Sequence, residues 1–313
     1  MYGNYDGLNQ RPKFDVHLGP NFWTTINLQD PFGNTVGIWV DDGTIKEIIH
    51  ITTSNSLDFC LVKTGTATPF ISALELRPLR EDSYTTKAGS LKLIFRQYIS
   101  DSGSVVRYPE DVHDRVWEPE PPFDWTEVNT TTPVTSTNAF EVPQLVISKA
   151  ITTKAAAGKS VDMGWLVQNP DEEFHVYVHF AEIQALKPND TREFDILLSG
   201  KTIYKEYRPL PFMVETVPIT PTKCEFICNL ELVRTKVSSL PPLLNAVEVY
   251  GALPLPQSDT HESDVNAIKN IQATYKLQKI SWQGDPCVPV HYMWAGLNCS
   301  NTIPSTPPRI IYL

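Results

Sequence analysis

Short runs in which apolar and polar residues alternate recur along most of the chain. The stretch KFDVHLGPNFW places Phe14, Val16 and Leu18 on one face of a predicted strand. Further runs bounded by Pro, Gly, Asn or Asp also predict strands: SLKLIFRQYI (90–99), LVISKAIT, FHVYVHFAEI, REFDILLSG and NAVEVYG. Many short strands joined by loops predict an all-β body, either a sandwich or a jelly roll.

Three of these strand-like stretches have a similar counterpart later in the chain, and the counterparts follow in the same order. EFDILLSGKTIY resembles KFDVHLGPNFW, LVRT (232–235) resembles LVKT (61–64), and AVEV (246–249) resembles ALEL (73–76). Matches in one order at a nearly constant spacing predict two copies of one domain. The second copy has far more strand-like sequence before its FDI strand than the first has before FDV. The first copy is therefore predicted to lack its own N-terminal strands.

The pattern changes after Pro256. Apolar residues from Val265 to Tyr275 recur at helical spacing, and Ser263 or Asp264 is suited to cap the start of this helix. A pair of cysteines then encloses a short loop that holds Trp294. A helix, a tryptophan and a cysteine pair predict a small cap that closes the end of a hydrophobic core.

Composition narrows the class of partner. The 313 residues suffice for two domains, and the 26 prolines against 15 glycines favour β structure with stiff connections. A net charge of -10 argues against nucleic acid or an anionic membrane as partner. No apolar run is long enough for a membrane span, and the first residues lack the pattern of a signal peptide.

Cysteines and sequons point to an oxidising compartment. Four of the five cysteines form two close pairs, 224/228 and 287/299, and Cys60 is left over. The spacing of Cys224 and Cys228 at a predicted hairpin favours a disulfide, with two free buried thiols as the alternative. Three glycosylation sequons occur, at Asn129, Asn189 and Asn298. Together these features favour a secreted protein or an ectodomain, with Asn189 as the best glycan site.

No pattern predicts catalysis, a cofactor or a metal. His175 and His179 share one face of a strand about 13 Å end to end, which is too far for one metal ion. The glycine-rich loop, strand lysine and catalytic aspartates of a kinase are missing. No spacing singles out a carboxylate pair for glycoside hydrolysis or a Ser/His/Asp triad.

Seven stretches, in one order along nearly the whole chain, resemble the malectin-like ectodomain of plant leucine-rich-repeat receptor kinases. They are YGNYDGLNQRPKFDVHLGPNFW, EIIHITTSNSLDFCLVKTGTATPFISALELRPL, VVRYPEDVHDRVW, VYVHFAEIQALKPNDTREFDILLSGK, LPPLLNAVEVY, DVNAIKNIQATYKL and SWQGDPCVPVHYMWAGLNC. The resemblance implies an all-β fold of two tandem malectin-like β-sandwich lobes of jelly-roll type. A short helical cap of a leucine-rich-repeat solenoid follows, with the GDPC element at 284–287 and a Cys287–Cys299 disulfide.

The implied division is a truncated first lobe (1–80), inter-lobe strands with a Pro-rich connector (81–140), a second lobe (141–256) and the cap (257–313). Relative to the family pattern, the signal peptide, the front of the first lobe, the repeats, the membrane helix and the kinase are not in this chain. The stretch DPFGNTVGIWVDDG (30–43) is longer than expected, as an insertion or a gene-model error. We hypothesise that a cysteine in the missing front half partners Cys60.

Sugar binding requires aromatic faces and planar hydrogen-bonding side chains. Tyr2, Tyr5 and Asp6 cluster ahead of the first strand. Aligned on that strand, Tyr5 falls where animal malectin, a disaccharide-binding lectin, has an aromatic sugar contact; the alternative is an ordinary packed or loop tyrosine. The resemblance also implies that plant malectin-like pairs often lack a sugar site and bind peptides or co-receptors between the lobes.

The resulting hypothesis is a non-catalytic recognition module on the extracellular side of the plasma membrane. It would bind cell-wall carbohydrate, a secreted peptide or a partner ectodomain, and in an intact receptor would pass that state to a kinase. Two alternatives stay open: a carbohydrate-binding module once attached to an enzyme, and a truncated gene product without independent function.

Overall fold

The computed structural model describes residues 4–28, 38–40, 43–52, 57–87, 89–101, 103–122, 125–154, 159–277, 282–300 and 306–313. Strands dominate the described part, as the alternating pattern predicts. Neither of its two α-helices has the length and apolar character that a bilayer span requires. Most of the predicted stretch 30–43 lies outside the described residues.

The strands of the described part are β1 (Lys13–Leu18), β2 (Asn21–Asn27), β3 (Ile38–Val40), β4 (Gly43–Ile45), β5 (Ile48–His50), β6 (Phe59–Lys63), β7 (Ser90–Ile99), β8 (Glu118–Glu120), β9 (Trp125–Asn129), β10 (Lys149–Thr153), β11 (Ser160–Leu166), β12 (Phe174–Phe180), β13 (Phe194–Leu198), β14 (Lys201–Tyr207), β15 (Glu215–Thr222), β16 (Ile227–Arg234), β17 (Leu243–Leu244), β18 (Ala246–Leu253), β19 (Asn298–Cys299) and β20 (Ile310–Tyr312). The helices are α1 (Gln144–Ile147), α2 (Glu262–Thr274) and a 3-10 turn (Val290–Tyr292).

Two sheets form the sandwich of the second lobe. One has the order β11-β16-β13-β14, and the other has the order β15-β12-β18-β7-β5, with β8 parallel to β7. Apolar side chains from both inner faces form the main core: Phe174, Val176, Val178, Phe180, Phe194, Ile196, Leu230 and Leu232. All of β12 is buried because Tyr84 and Phe140 cover its outer face. This β-sandwich is the predicted architecture.

The first lobe presents a smaller sheet, β2-β1-β6. Phe14, Val16 and Leu18 are buried, as their alternation predicts, and Trp23 joins them. Ile48 of β5 and Leu253 of β18 pack against the same cluster. The apolar face of the first lobe is thus closed by strands that extend from the sheet of the second lobe.

The predicted repeat is visible in strand register. β1 lies between β2 and β6, and β13 lies between β14 and β16. Phe14 pairs with Lys63 just as Phe194 pairs with Arg234. The two copies therefore fold as the same three-stranded unit, which confirms the match of the FDV and LVKT stretches with FDI and LVRT.

The third sequence match, ALEL (73–76) with AVEV (246–249), has no counterpart in the structure. Residues 246–249 lie in β18 between β12 and β7, whereas 73–76 form no strand, and Leu74 and Leu76 are exposed. A strand needs neighbours that satisfy its backbone groups. Residues 73–76 have no neighbouring strand in the part of the chain that the structure describes.

Two local expectations are corrected. The start of LVISKAIT forms α1 rather than a strand, because the carbonyl of Pro143 accepts the N–H groups of Val146 and Ile147 and closes a helical turn. The cap of α2 is the His261 side chain, which accepts the N–H of Ser263. Asp264 instead binds Arg309 at 2.7 Å, and Tyr275 is exposed, so the apolar stripe ends earlier than its pattern suggests.

The C-terminal cap has its own small core, in which Trp282 and Trp294 stack at 5.1 Å. The Asp285 carboxylate of the GDPC element accepts the N–H groups of Thr260, Cys287 and Val288. Its role here is to fix the loop that carries the Cys287–Cys299 disulfide, which is present. The division of the chain into four domains, and the assignment of this piece to a leucine-rich-repeat cap, remain predictions.

Candidate functional site

Two of the three sugar-binding residues predicted from sequence, Tyr5 and Asp6, lie on a loop ahead of β1. Tyr5 is 67% exposed and meets Phe70 edge-on at 5.3 Å. The Asp6 carboxylate accepts the N–H groups of Thr68 and Leu8, at 2.7 and 3.1 Å, and these hydrogen bonds lower the pKa of Asp6. The structure therefore brings Tyr5 and Asp6 together but engages Asp6 in holding the loop. Tyr2 lies outside the described residues.

A cleft between the two lobes has a volume of about 370 Å³. Its lining comes from strand β2, from residues 46–47 with β7, which we call the floor, and from the end of β11 with the turn before β12. We call this the inter-lobe cleft. Its lining residues are Phe22, Trp23, Thr24, Thr25, Lys46, Glu47, Lys92, Leu93, Ile94, Leu166, Gln168, Glu172 and Phe174.

Another cavity, of about 470 Å³, lies between strands β14 and β15 in the second lobe. It is lined by residues at the edge of the sandwich, which lie between Leu198 and Ile203 and between Pro218 and Lys223. The inter-lobe cleft is the stronger candidate despite its smaller volume. Both lobes contribute to it, and it combines apolar and charged groups in the way that ligand sites do.

Among the described residues, the ionisable side chains that line the inter-lobe cleft form ion pairs, except for that of Lys46. Lys92 Nζ lies 2.7 Å from Glu172 Oε1, and Glu47 accepts hydrogen bonds from Arg96, one of them at 2.9 Å. Lys46 is half-buried and has no anionic partner in the described part of the chain. Burial, with a smaller contribution from the positive charge of Lys92, lowers the pKa of Lys46 to about 8.

The rim of the cleft is apolar. Phe22 is 49% exposed on the first-lobe side, and Leu166 is 77% exposed on the opposite side. Ile227, the cross-strand partner of Leu166, is also exposed. The predicted Cys224–Cys228 disulfide is present and closes the turn that leads into this strand, with Phe226 exposed inside the loop. Exposed large apolar side chains around a recess are typical of an interaction site.

A buried charged cluster ties the floor of the cleft to the sheet beneath it. Arg96 is fully buried and donates to Glu47, to Glu248 at 2.7 Å and to the hydroxyl of Tyr250. Glu248 also accepts from Tyr84 at 2.8 Å. Burial would raise the pKa of Glu248, but Arg96 and the other donors outweigh it and hold that pKa well below its ordinary value.

Of the two histidines of β12, His179 belongs to this buried cluster. His179 Nε2 lies 2.9 Å from Glu248 Oε1, and Nδ1 lies 2.9 Å from the hydroxyl of Thr216. Burial lowers the pKa of both His179 and His175. No cluster of metal ligands occurs among the described residues.

The other sequence-predicted sites are distributed over the surface and the cap. Asn129 and Asn189 are exposed, whereas the Asn298 side chain donates to the hydroxyl of Tyr312 at 2.6 Å. Cys60 is a free thiol whose sulfur faces Gly284 of the GDPC element. Glycosylation and the partner of Cys60 stay predictions.

Comparison with known proteins identifies the family. A family model of the malectin-like domain matches residues 1–252. The chain belongs to the malectin-like family. The resemblance seen in the sequence is thereby confirmed.

Curated relatives of this malectin-like chain include receptor kinases of Arabidopsis thaliana. One, a probable LRR receptor-like serine/threonine-protein kinase, is 59% identical over 99% of this chain. Another, the probable LRR receptor-like serine/threonine-protein kinase MEE39, is 51% identical over the whole chain. This chain covers 36% and 35% of these two relatives, so it spans about a third of their length.

Solved structures show the same malectin-like fold at low sequence identity. The plant receptor-like kinase FER has a TM-score of 0.58 and 15% identity, with 79% of this chain and 74% of FER covered. The plant receptor-like kinase ANX1 has a TM-score of 0.55 and 12% identity, with 76% and 73% covered. At such identities the likeness establishes the fold alone.

Proposed function

We propose that this chain is a non-catalytic recognition module that binds a secreted peptide, or a segment of a partner ectodomain, in the inter-lobe cleft. The observation that carries the proposal is the cleft itself, a recess built by two lobes, with an apolar rim and a cation that has no anionic partner among the described residues. In a full-length receptor the bound state would be passed to a kinase on the other side of the membrane.

One solved structure of this fold supports a peptide or protein ligand. It contains the plant peptide RALF23 in complex with FER and LLG2, with a TM-score of 0.50 to this chain and 16% identity. Glycan binding at Tyr5 is a second candidate, favoured by the exposed ring of that residue. Carbohydrate sites use aromatic faces of this kind, but the neighbouring Asp6 is already engaged in hydrogen bonds.

A blocked cleft tests the proposal. Gln168 is exposed and lines the cleft, so Gln168→Trp should fill the recess without disturbing the core. The purified chain is incubated with the low-mass fraction of plant extracellular fluid, and the captured peptides are identified by mass spectrometry. Wild type and Lys205→Trp, which alters an exposed residue of β14, are expected to capture the same peptides, and Gln168→Trp is expected to lose them.

A glycan array run with the same proteins separates the two candidates. If Gln168→Trp captured peptides as well as wild type does, the cleft would not be the binding site. If glycans bound to wild type and to Gln168→Trp but not to Tyr5→Ala, the second candidate would replace the first.

A further inference from the structure

We infer that Lys46 selects a peptide with a carboxylate side chain, which the inter-lobe cleft receives beside an apolar neighbour. This inference rests on the proposed function and gives its ligand a chemical class. The site consists of Lys46 at the floor and of Phe22 and Leu166 at the rim.

The first step is the position of Lys46. It directly precedes Glu47, whose backbone carbonyl accepts the N–H of Leu93 and whose carboxylate is held by Arg96. The floor is therefore anchored at this point to a strand of the main sheet. Lys46 is therefore one residue from a point where the backbone is anchored, and this anchor positions the start of its side chain at the cleft.

The second step is the balance of charge. Each of the other ionisable side chains that line the cleft has a partner, Glu172 for Lys92 and Arg96 for Glu47. Lys46 has none in the described part of the chain, and the ammonium group of Lys92 opposes it. A half-buried cation without a partner costs folding free energy and contributes no contact in return. A carboxylate in the cleft would supply the missing partner.

The third step concerns protonation. Although burial lowers the pKa of Lys46 to about 8, the amine remains mainly protonated at the neutral or mildly acidic pH at which extracellular proteins work. The group that a ligand meets is therefore an ammonium ion, which prefers an anion to a neutral amide.

The fourth step distinguishes a peptide from an acidic glycan. Leu166, the most exposed apolar side chain of the lining, is aliphatic, and so is its exposed cross-strand partner Ile227, whereas the Trp23 ring is only 8% exposed. Sugars stack on open aromatic faces, whereas branched aliphatic side chains pack against apolar side chains of a peptide. The net charge of -10 would also repel a polyanionic chain more than a single carboxylate. A volume of about 370 Å³ suits one or two side chains.

The probe for this inference is a positional-scanning library of hexapeptides with acetylated and amidated ends, so that only side chains carry charge. Wild type is expected to enrich Asp or Glu at one position, with Leu, Ile, Val or Phe beside it. The best peptide is then compared with its isostere, in which Glu is replaced by Gln or Asp by Asn, by calorimetric titration. For wild type, the isostere is expected to bind at least tenfold more weakly.

Lys46→Met is expected to bind the acidic peptide and its isostere with equal affinity, because the ammonium group is gone while the rim is unchanged. Lys205→Met, an exposed lysine of β14, should behave as wild type. Thermal unfolding of both variants establishes that they are folded. Equal affinity of wild type for the two peptides would overturn the inference, as would an acidic preference that survives in Lys46→Met.

The outcomes also separate this inference from the proposed function. Peptides that bind without acidic preference and are lost in Gln168→Trp would refute the role of Lys46 and leave the cleft as the binding site. If no peptide were enriched, both the role of Lys46 and the proposed function of the cleft would be refuted. Binding of polygalacturonate that is lost in Lys46→Met, with no peptide enriched, would replace the peptide by an acidic glycan and overturn the inference.

Discussion

At the scale of single residues, Lys46 illustrates what sequence alone cannot show. It is one of 26 lysines and arginines, and no motif around it predicts a site. Its importance comes from burial and from having no anionic partner among the described residues, and both depend on contacts between distant parts of the chain. Tyr5 and Asp6 were proposed as sugar-binding residues because they are adjacent in the sequence; that role stays a prediction, and the structure engages Asp6 in backbone hydrogen bonds.

Lys46 should lower the stability of the unliganded chain, and Lys46→Met should raise it. The pKa falls from 10.5 in the unfolded chain to about 8 in the folded chain, so below pH 8 the folded state holds a proton that it disfavours. The shift in pKa sets an upper bound on the effect, which is reduced because Lys46 is partly exposed. We expect Lys46→Met to raise the free energy of unfolding at pH 6.5 by ~1–2 kcal/mol. The gain should shrink between pH 8 and pH 10.5, because the folded wild type releases the proton first.

Urea unfolding of wild type, Lys46→Met and Lys205→Met at pH 6.5 and pH 10 measures this effect. The exposed Lys205 provides the matched control and should leave stability unchanged at both pH values. A Lys46→Met variant that is less stable than wild type at pH 6.5 would mean that the lysine has a structural partner. A stabilised variant that no longer distinguishes an acidic peptide is expected of a residue kept for binding.

At the scale of elements, strands with alternating patterns were predictable and their pairing was only partly so. β1, β7, β12, β13 and β18 lie where the apolar pattern places them. The pattern ALEL at 73–76 is just as strand-like, but pairing is decided by which segments lie alongside, and that is a long-range property. The strand predicted at the start of LVISKAIT is wrong for a local reason: the Pro143 carbonyl accepts the first hydrogen bonds of a helical turn at residues 144–147.

The Cys224–Cys228 disulfide shapes the element that forms one rim of the cleft. It lies at the N-terminal end of β16, beside the end of β11, and Cys228 is fully buried in the main core. Replacing both cysteines by serine should reduce the free energy of unfolding by about 2 kcal/mol, since a short loop is released. The hydroxyl of a buried serine at 228 would add to this cost.

Hydrogen exchange should locate the effect of the double serine variant. We expect faster exchange at 224–228 and at the end of β11, and no change in β1, β2 and β6 of the first lobe. The Cys287 and Cys299 pair in the cap offers a control, because its replacement should leave exchange at 224–228 unchanged. If loss of the Cys224–Cys228 disulfide increased hydrogen exchange throughout both lobes, the disulfide would not stabilise this region alone.

At the scale of the whole molecule, a buried charged cluster joins segments that lie far apart in the chain. Arg96 contacts Glu47 at the floor of the cleft and Glu248 in the middle of the main sheet. Tyr84 and His179 reach the same carboxylate from other segments. The family resemblance implied tandem lobes, but no pattern in the sequence brings residues 47, 84, 96, 179 and 248 together.

Glu248→Gln should be the most damaging conservative change in the second lobe. The substitution keeps the shape of the side chain but removes the charge that compensates the buried Arg96, and breaking such a pair costs about 3–5 kcal/mol. The pKa of Glu248 is depressed, so the wild-type stabilisation is present above the ordinary glutamate pKa and is lost as pH falls toward the lower folded value. The difference between wild type and Glu248→Gln should therefore be large at pH 7 and smaller at pH 3.

Urea unfolding at pH 7, 5 and 3 tests this expectation, with Glu225→Gln on the exposed disulfide loop as control. His179 contributes in the same direction, because its lowered pKa means that acid charges it more readily in the unfolded chain than in the folded one. Wild type should lose stability between pH 7 and pH 3 more steeply than Glu248→Gln does. Parallel pH profiles for the two proteins would show that the cluster does not couple to protonation, and a loss below 1 kcal/mol at pH 7 would show that Arg96 is compensated by Glu47 alone.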